Sequence, residues 1–439
     1  MMDSGEETMG SVLGNGRRAL AEEVPVGYKR TEVGVIPENW QVEGVSEFGS
    51  IVTGGTPSTL VRQYWNGHHP WVTPTDISSA RDIYLSDRSI TDTGLSSIRR
   101  LPPDTVLVTC IASIGKNAIL RVLGGCNQQI NAVVPNNQHC ADYLYYVFEN
   151  AKSYLLGNAG ITATPILSKA LFRNLIFPVP PLPEQRAIAE ALSDVDELLA
   201  ALEALIAKKR AVKQAAIQQL LTGKSRLPGF SKDEDWGVLE LRELCTHIVD
   251  GTHYTPKYVP YGIPFYSVEN VTADDFTDVK YISESEHNLL IRRCNPQRGD
   301  ILLTRIGSLG DTKLIDWDVN ASIYVSLALL KLGKCADPEY IYHYTKSFQF
   351  TWEVESRSLV NAIPKKINMG DIGAIPIRIP PTESEQRAIA NILSDMDAEI
   401  AALERRRDKT RAVKQSMMQQ LLSGRVRLVE PEALTKTTT

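Results

Sequence analysis

One segment occurs twice in this chain of 439 residues, and that duplication constrains the architecture more than any other feature. Residues 184–227 and 385–428 are related by a single offset of 201, with 27 of 44 positions identical. Glu184-Gln185-Arg186-Ala187-Ile188-Ala189 returns as Glu385-Gln386-Arg387-Ala388-Ile389-Ala390. Arg210-Ala211-Val212-Lys213-Gln214 returns as Arg411-Ala412-Val413-Lys414-Gln415, and Gln218-Gln219-Leu220-Leu221 as Gln419-Gln420-Leu421-Leu422. A period this long is no solenoid repeat, so the duplicated object is a unit of several elements. The regions ahead of each copy are related more faintly. Trp40 answers Trp236, and the loop Gly55-Thr56-Pro57 answers Gly251–Pro256. Pro70–Thr73 answers Pro264–Ser267, Val106–Thr109 answers Ile301–Thr304, and Ser113-Ile114-Gly115 answers Ser308-Leu309-Gly310. Near-identical segments do one job twice; divergent units do a related job on two different targets.

The near-identical segments carry a helix pattern. Ile188, Leu192, Val195, Leu199, Leu202 and Ile206 are spaced 4-3-4-3-4, and Ile389, Leu393, Met396, Ile400 and Leu403 repeat the register. Neither segment has an internal Pro or Gly; each follows a Pro pair and stops at a glycine, Gly223 or Gly424. A rod of about 39 residues is roughly 58 Å long and cannot bury its own seam. It is either the core helix of a bundle or one half of an antiparallel coiled coil formed by the two copies. Acidic residues come early (Asp194, Asp196, Glu197; Asp395, Asp397, Glu399) and basic ones late (Lys208, Lys209, Arg210, Lys213; Arg405, Arg406, Arg407, Lys409, Arg411), which favours the antiparallel pair.

The divergent units, 27–181 and 228–381, alternate short β-like runs with turn clusters. Thr105–Ile111, Ala132–Val134, Ile301–Arg305 and Ala328–Lys331 predict strands, and Tyr143–Phe148 and Tyr340–Tyr344 short helices. The expected fold class is α+β: two mixed α/β units in tandem, separated by long helices at 182–227 and 382–428 that pair as an antiparallel coiled coil. Residues 1–26 and 429–439 are expected to be polar tails. The cysteines are scattered with no Cys-x-x-Cys pair, the N-terminus lacks an apolar core, and no apolar run reaches membrane-helix length. A cytoplasmic protein is expected. A net charge of −5 gives no global sign of nucleic-acid binding, but local patches decide that question.

Catalytic patterns fail on inspection. Gly223-Lys224-Ser225 looks like the end of a phosphate-binding loop, but Gln218 stands where its first glycine belongs, and Gly223 is better explained as a helix cap. No Gly-x-Gly-x-x-Gly and no methyl-transfer tetrad is present. His68-His69 lacks helical ligand spacing and predicts a surface or hydrogen-bonded pair, so no metal site is expected. His253 has the form of a polar turn residue. The chain is therefore expected to catalyse nothing itself. Its loops offer hydrogen-bonding and aromatic side chains instead. The first unit presents Thr56, Ser58, Arg62, Gln63, Tyr64, Trp65, Asn66, Thr75, Ser113, Lys116, Asn117, Gln128, Gln129 and Asn131. The second presents Thr252, His253, Tyr254, Thr255, Lys257, Tyr258, Asn270, Arg305, Ser308, Asn361, Lys365 and Lys366. Asn and Gln pair with adenine, Arg and Lys with guanine, and Ser and Thr with phosphate or base edges.

Together these features resemble the specificity subunit of type I restriction–modification systems. The motifs that carry the resemblance are Pro-Pro-Leu-Pro-Glu-Gln-Arg-Ala-Ile-Ala at 180–189, its echo at 380–390, and Gln-Gln-Leu-Leu-(Thr/Ser)-Gly-(Lys/Arg) at both helix ends. Thr31–Trp40, Gly54–Ser58 and Asp250–Pro256 are similar to the family's domain entry and recognition-loop openings. The resemblance implies two target recognition domains, each reading half of an interrupted asymmetric DNA site, with helices that dock two modification subunits. Those subunits carry S-adenosylmethionine and methylate adenine. Restriction subunits add translocation and cleavage with ATP and Mg. A non-catalytic coiled-coil scaffold presenting two protein-binding modules is the alternative.

Overall fold

The computed structural model describes residues 24–77, 81–160, 164–230, 235–359 and 361–429. The expected tails lie almost wholly outside them. The chain forms two compact units, Met1–Leu199 with Lys409–Thr439, and Ala200–Asp408.

In the first unit a five-stranded sheet has the order Gly49–Thr53, Ile130–Pro135, Thr105–Thr109, Asn117–Leu120, Asp82–Ile83. Neighbours are antiparallel except the last pair. The run Thr105–Thr109 is apolar throughout its middle rather than alternating, because both faces are buried. Val106 and Val108 point into one core, and Leu107 into another. A second small sheet sets Trp65–Val72 between Gly125–Cys126, which runs parallel to it, and Ser89–Ile90. The second unit repeats the plan: Cys245–Asp250, Leu327–Leu332, Ile301–Thr304, Thr312–Leu314, all antiparallel. Its smaller sheet again carries a parallel pair, Ile263–Tyr266 with Ser322–Ile323. Ile301 and Leu303 face one core and Leu302 the other. The faint sequence correspondence between the units is thus a correspondence of topology, down to Gly115 and Gly310, whose φ values are +86° and +85°.

The long helices are α1 (Leu182–Leu220) and α2 (Glu383–Leu421), 39 residues each. In the first unit the start of α1 (Ile188, Ala189, Leu192) and the end of α2 (Met418, Leu421, Leu422) enter one hydrophobic core. In the second, the end of α1 (Ile217, Leu220, Leu221) packs with the start of α2 (Ile389, Ala390, Leu393). The pairing is antiparallel: Lys414 Nζ meets Asp196 Oδ1 at 2.6 Å in the first unit, and Lys213 meets Asp397 in the second. Lys209–Glu399 (2.6 Å) and Arg210–Glu404 continue the series, so acidic early turns face basic late ones as the charge pattern predicts. Along the seam Ile188, Leu192, Leu202, Ile206, Ile389, Leu393 and Ile400 are buried, and Val195, Leu199, Met396 and Leu403 half-buried. Among the described residues no helix is long and apolar enough to cross a membrane.

Candidate nucleic-acid interface and helix junctions

Strand register decides where the loops go. Thr53 pairs with Asn131, and Thr109 with Ile130, so the segments after Thr53 and Thr109 and the turn before Ile130 emerge from one end of the sheet. Gly54 must be glycine here, since a Cβ would lie 2.1 Å from the Asn127 carbonyl oxygen. Gly251 meets the Ile323 carbonyl oxygen at the same 2.1 Å, so Gly54 rather than Gly55 is its counterpart. Beyond Gly54, Thr56 Oγ1 donates to Gln128 Oε1 at 2.7 Å, joining loop and turn. Trp65 Nε1 donates to Ser58 O at 3.2 Å, and Trp71 Nε1 to Gly55 O at 2.8 Å. Arg88, which the sequence did not single out, lies 3.9 Å above the Trp65 ring and 4.9 Å from Trp71. Arg99 Nη1 donates to Thr53 O at 2.8 Å on the same loop. An arginine's return to a loop many residues away leaves no local signal.

The expected contact residues of the first unit divide by exposure. Thr56, Ser58, Arg62, Gln63, Asn66, Thr75, Lys116 and Gln128 are exposed; Tyr64, Trp65, Ser113 and Gln129 are half-buried. Arg62, Gln63 and Tyr64 form one 3₁₀ turn, and Thr91 and Thr93 hydroxyls donate to the Gln63 carbonyl at 2.7 and 3.3 Å. Asn117 and Asn131 are buried, bonding through Nδ2 to the Tyr145 and Leu167 carbonyls at 2.8 and 3.2 Å. They hold the scaffold of the loops.

The second unit has the same arrangement. Asp250 pairs with Ala328, and Ala328 with Leu303, so 251–257, 305–311 and 324–326 share one sheet end. The bridges Ile306–Lys366 and Leu359–Lys366 bring Asn361, Lys365 and Lys366 to the Ser308 turn. Buried Asp250 accepts from Arg305 Nη1 at 3.1 Å, from His253 Nε2 at 2.9 Å and from Arg293. Asp250, His253 and Arg293 border a pocket of about 340 Å³. Arg305, Thr252 and Asn270 are buried; Asn270 Nδ2 donates to the Asp275 and Asp278 carbonyls at 3.1 Å each. His253, Tyr254, Thr255, Lys257, Tyr258, Ser308 and Asn361 are exposed, and Lys365, half-buried, pairs with Glu355.

The duplicated motif has a geometric cause at the helix junctions. Glu184 is fully buried; Arg427 binds both its oxygens (2.5 and 2.8 Å), and Trp40 Nε1 donates to Oε2 at 3.0 Å. Glu385 is likewise held by Arg226 at 2.6 and 2.7 Å beside Trp236, whose indole N–H lacks a protein acceptor among the described residues. Gln185 Oε1 accepts from Cys140 N, and Gln386 Oε1 from Asp337 N, each at 2.9 Å. Gly223 and Gly424 both adopt φ +71°, and a Cβ on either would lie 3.3 Å from Trp236 or Trp40. The phosphate-loop look-alike is a helix cap seated on a tryptophan. Of the His68-His69 pair, His68 is exposed, and buried His69 places Nε2 2.8 Å from Asp92 Oδ1.

Two copies of one α/β plan, each seated on the start of one helix and the end of another, define a DNA-specificity class of protein. The Type I restriction modification DNA specificity domain matches residues 37–213 and again 233–410, and the chain belongs to that family. It is 34% identical over 178 residues to the type I restriction enzyme MjaIX specificity subunit of Methanocaldococcus jannaschii, an alignment spanning 39% of this chain and 41% of that one. It is 25% identical to the MjaVIII specificity subunit of the same organism, over 90% of this chain and 94% of the relative. The fold is that of the type I restriction–modification S subunit from M. genitalium, with a TM-score of 0.58, 15% identity, and coverage of 88% and 96% of the two chains.

Proposed function

We propose that this chain is the DNA-reading, non-catalytic subunit of a type I restriction–modification complex. Residues 27–181 and 228–381 act as target recognition domains, each reading half of an interrupted asymmetric site. The observation that carries this reading is the gathering, in both units, of Arg, Lys, Asn, Gln, Ser, Thr and aromatic side chains onto loops at one sheet end. Base reading falls to the exposed set: Arg62, Gln63, Asn66 and Gln128 in the first unit, and His253, Lys257 and Asn361 in the second. The buried Asn117, Asn131, Asn270 and Arg305 support the loops. The helices dock two modification subunits in the cytoplasm. Those subunits supply S-adenosylmethionine and methylate adenine; restriction subunits supply ATP- and Mg-dependent cleavage. Family membership weighs against the protein-binding scaffold.

The test is a gel shift with the modification partner present, over a range of salt concentrations. Neutralised phosphates release counterions, so affinity falls steeply as salt rises. Binding to one site at least ~1000-fold above random DNA is expected. Equal, salt-insensitive or absent binding would overturn the proposal.

A further inference from the structure

We infer that His68, His69 and Asp92 form a binding site for one divalent transition-metal ion of the zinc type. Successive residues of a strand point to opposite faces, so neighbouring histidines ordinarily diverge. Here the ladder between Trp65–Val72 and Ser89–Ile90 is irregular: both Trp65 and His69 pair with Ile90, and Asn66 adopts φ +61°. The distortion brings the two rings together, with centroids 4.0 Å apart. His68 Nε2 and His69 Nε2 then lie 3.7 and 2.8 Å from Asp92 Oδ1. The three ligand atoms all fall within 4.8 Å of one another. Tetrahedral zinc, with bonds of about 2.0–2.1 Å, wants its ligand atoms ~3.3 Å apart, which small side-chain rotations supply.

The proton inventory of His69 points the same way. Its Nδ1 faces the Leu123 carbonyl oxygen at 3.3 Å. A carbonyl only accepts, so Nδ1 carries the hydrogen. In a neutral ring Nε2 is then a bare lone pair, and it faces a carboxylate oxygen that also only accepts. Two acceptors at 2.8 Å repel unless a cation lies between them or the ring is an imidazolium. A metal-binding histidine that donates its second N–H to a backbone carbonyl is the usual outer-shell arrangement. His69 is buried, whereas His68 and Asp92 are 71% and 80% exposed, leaving an entry path and a position for water. Thr91 and Thr93 flank Asp92 and bind the carbonyl of Gln63, so an ion here would tie the strand to the Arg62–Tyr64 turn.

The experiment uses the untagged full chain, stripped with chelator, titrated with Zn²⁺ by calorimetry and with Co²⁺ by visible absorption. One equivalent is expected to bind, with visible bands from the cobalt form. His68→Ala and Asp92→Asn, both at exposed positions, should each weaken binding at least ~tenfold. Both variants should melt at the parent's temperature without metal. Absence of uptake at micromolar Zn²⁺ would mean the trio is only an imidazolium–carboxylate pair, and would overturn the inference. So would binding that survives both substitutions, which would belong elsewhere, as at the exposed Cys335.

Discussion

Arg226 grips Glu385 with both arms of its guanidinium, Nε to Oε1 at 2.6 Å and Nη2 to Oε2 at 2.7 Å. The residue numbers differ by 159, and the carboxylate is almost sealed from water at 1% exposure. Arg427 repeats the grip on Glu184 in the first unit. Each pair fixes the end of one long helix against the start of the other beside a globular domain.

Breaking these pairs should cost more than any surface ion pair. Removing one partner of a buried pair leaves an uncompensated charge, worth about 3–5 kcal/mol. Arg226→Ala should exceed Arg427→Ala, because Glu184 keeps the Trp40 indole donor while Glu385 has no equivalent tryptophan bond. Urea unfolding of the two variants checks the order; equal, sub-kilocalorie losses would contradict it.

Much of this was legible in the sequence. The heptad spacing and flanking Pro and Gly gave rods of about 39 residues, the observed length, although the segments 182–227 and 382–428 run past the helix ends at Leu220 and Leu421, and the early-acid, late-base pattern gave their direction. The β-like runs fell on strands because β-branched clusters bounded by turns have few other uses. What stayed hidden was long-range. Nothing near Glu184 indicates that Arg427 will return to it, and Asn117 and Arg305 have the same composition as surface contacts until the fold buries them. Arg88 and Asp92 were missed because the residues they meet are set by sheet pairing, not by spacing.

The helix pairing should be measurable as a coupling. Lys414 and Asp196 are 17% and 30% exposed, so their ion pair should contribute about 0.5–1 kcal/mol. Asp196→Lys and Lys414→Asp should each destabilise, and the double variant should recover most of the loss in a double-mutant cycle. Simple additivity would contradict the pairing.

His343 should make the second unit acid-sensitive. It occupies the place that Tyr146 holds in the first, donating or accepting at Ser394 Oγ at 2.9 Å. Burial, followed by the positive charge of Lys213, lowers its pKa from 6.5 to about 4. At pH 7 folded and unfolded forms are both neutral there. As pH falls below 6.5 the unfolded chain takes up a proton that the folded unit refuses until about 4. Stability present at neutral pH is therefore lost across that window, by roughly 3 kcal/mol. His343→Tyr should flatten this part of the stability–pH curve; an unchanged acid slope would rule out His343 as its source.

Two substitutions should separate positioning from reading. Lys116→Ala should weaken DNA binding across all sequences and reduce the salt slope by about 1. Gln128→Ala should leave the salt slope intact and relax discrimination at one base pair by about 1–3 kcal/mol. Competition binding against single-base site variants distinguishes the two patterns; identical effects would place neither residue in the role proposed.

The central claim is that two independent readers share one helical frame. Residues 228–381 can be replaced by the corresponding segment of another family member, keeping Arg226, Glu385 and both helices. The chimera is then expressed with its modification partner and the methylated positions in the host genome are sequenced. A methylated motif altered in one half only, with the other half unchanged, is the predicted result. A motif that changes in both halves at once would contradict the account.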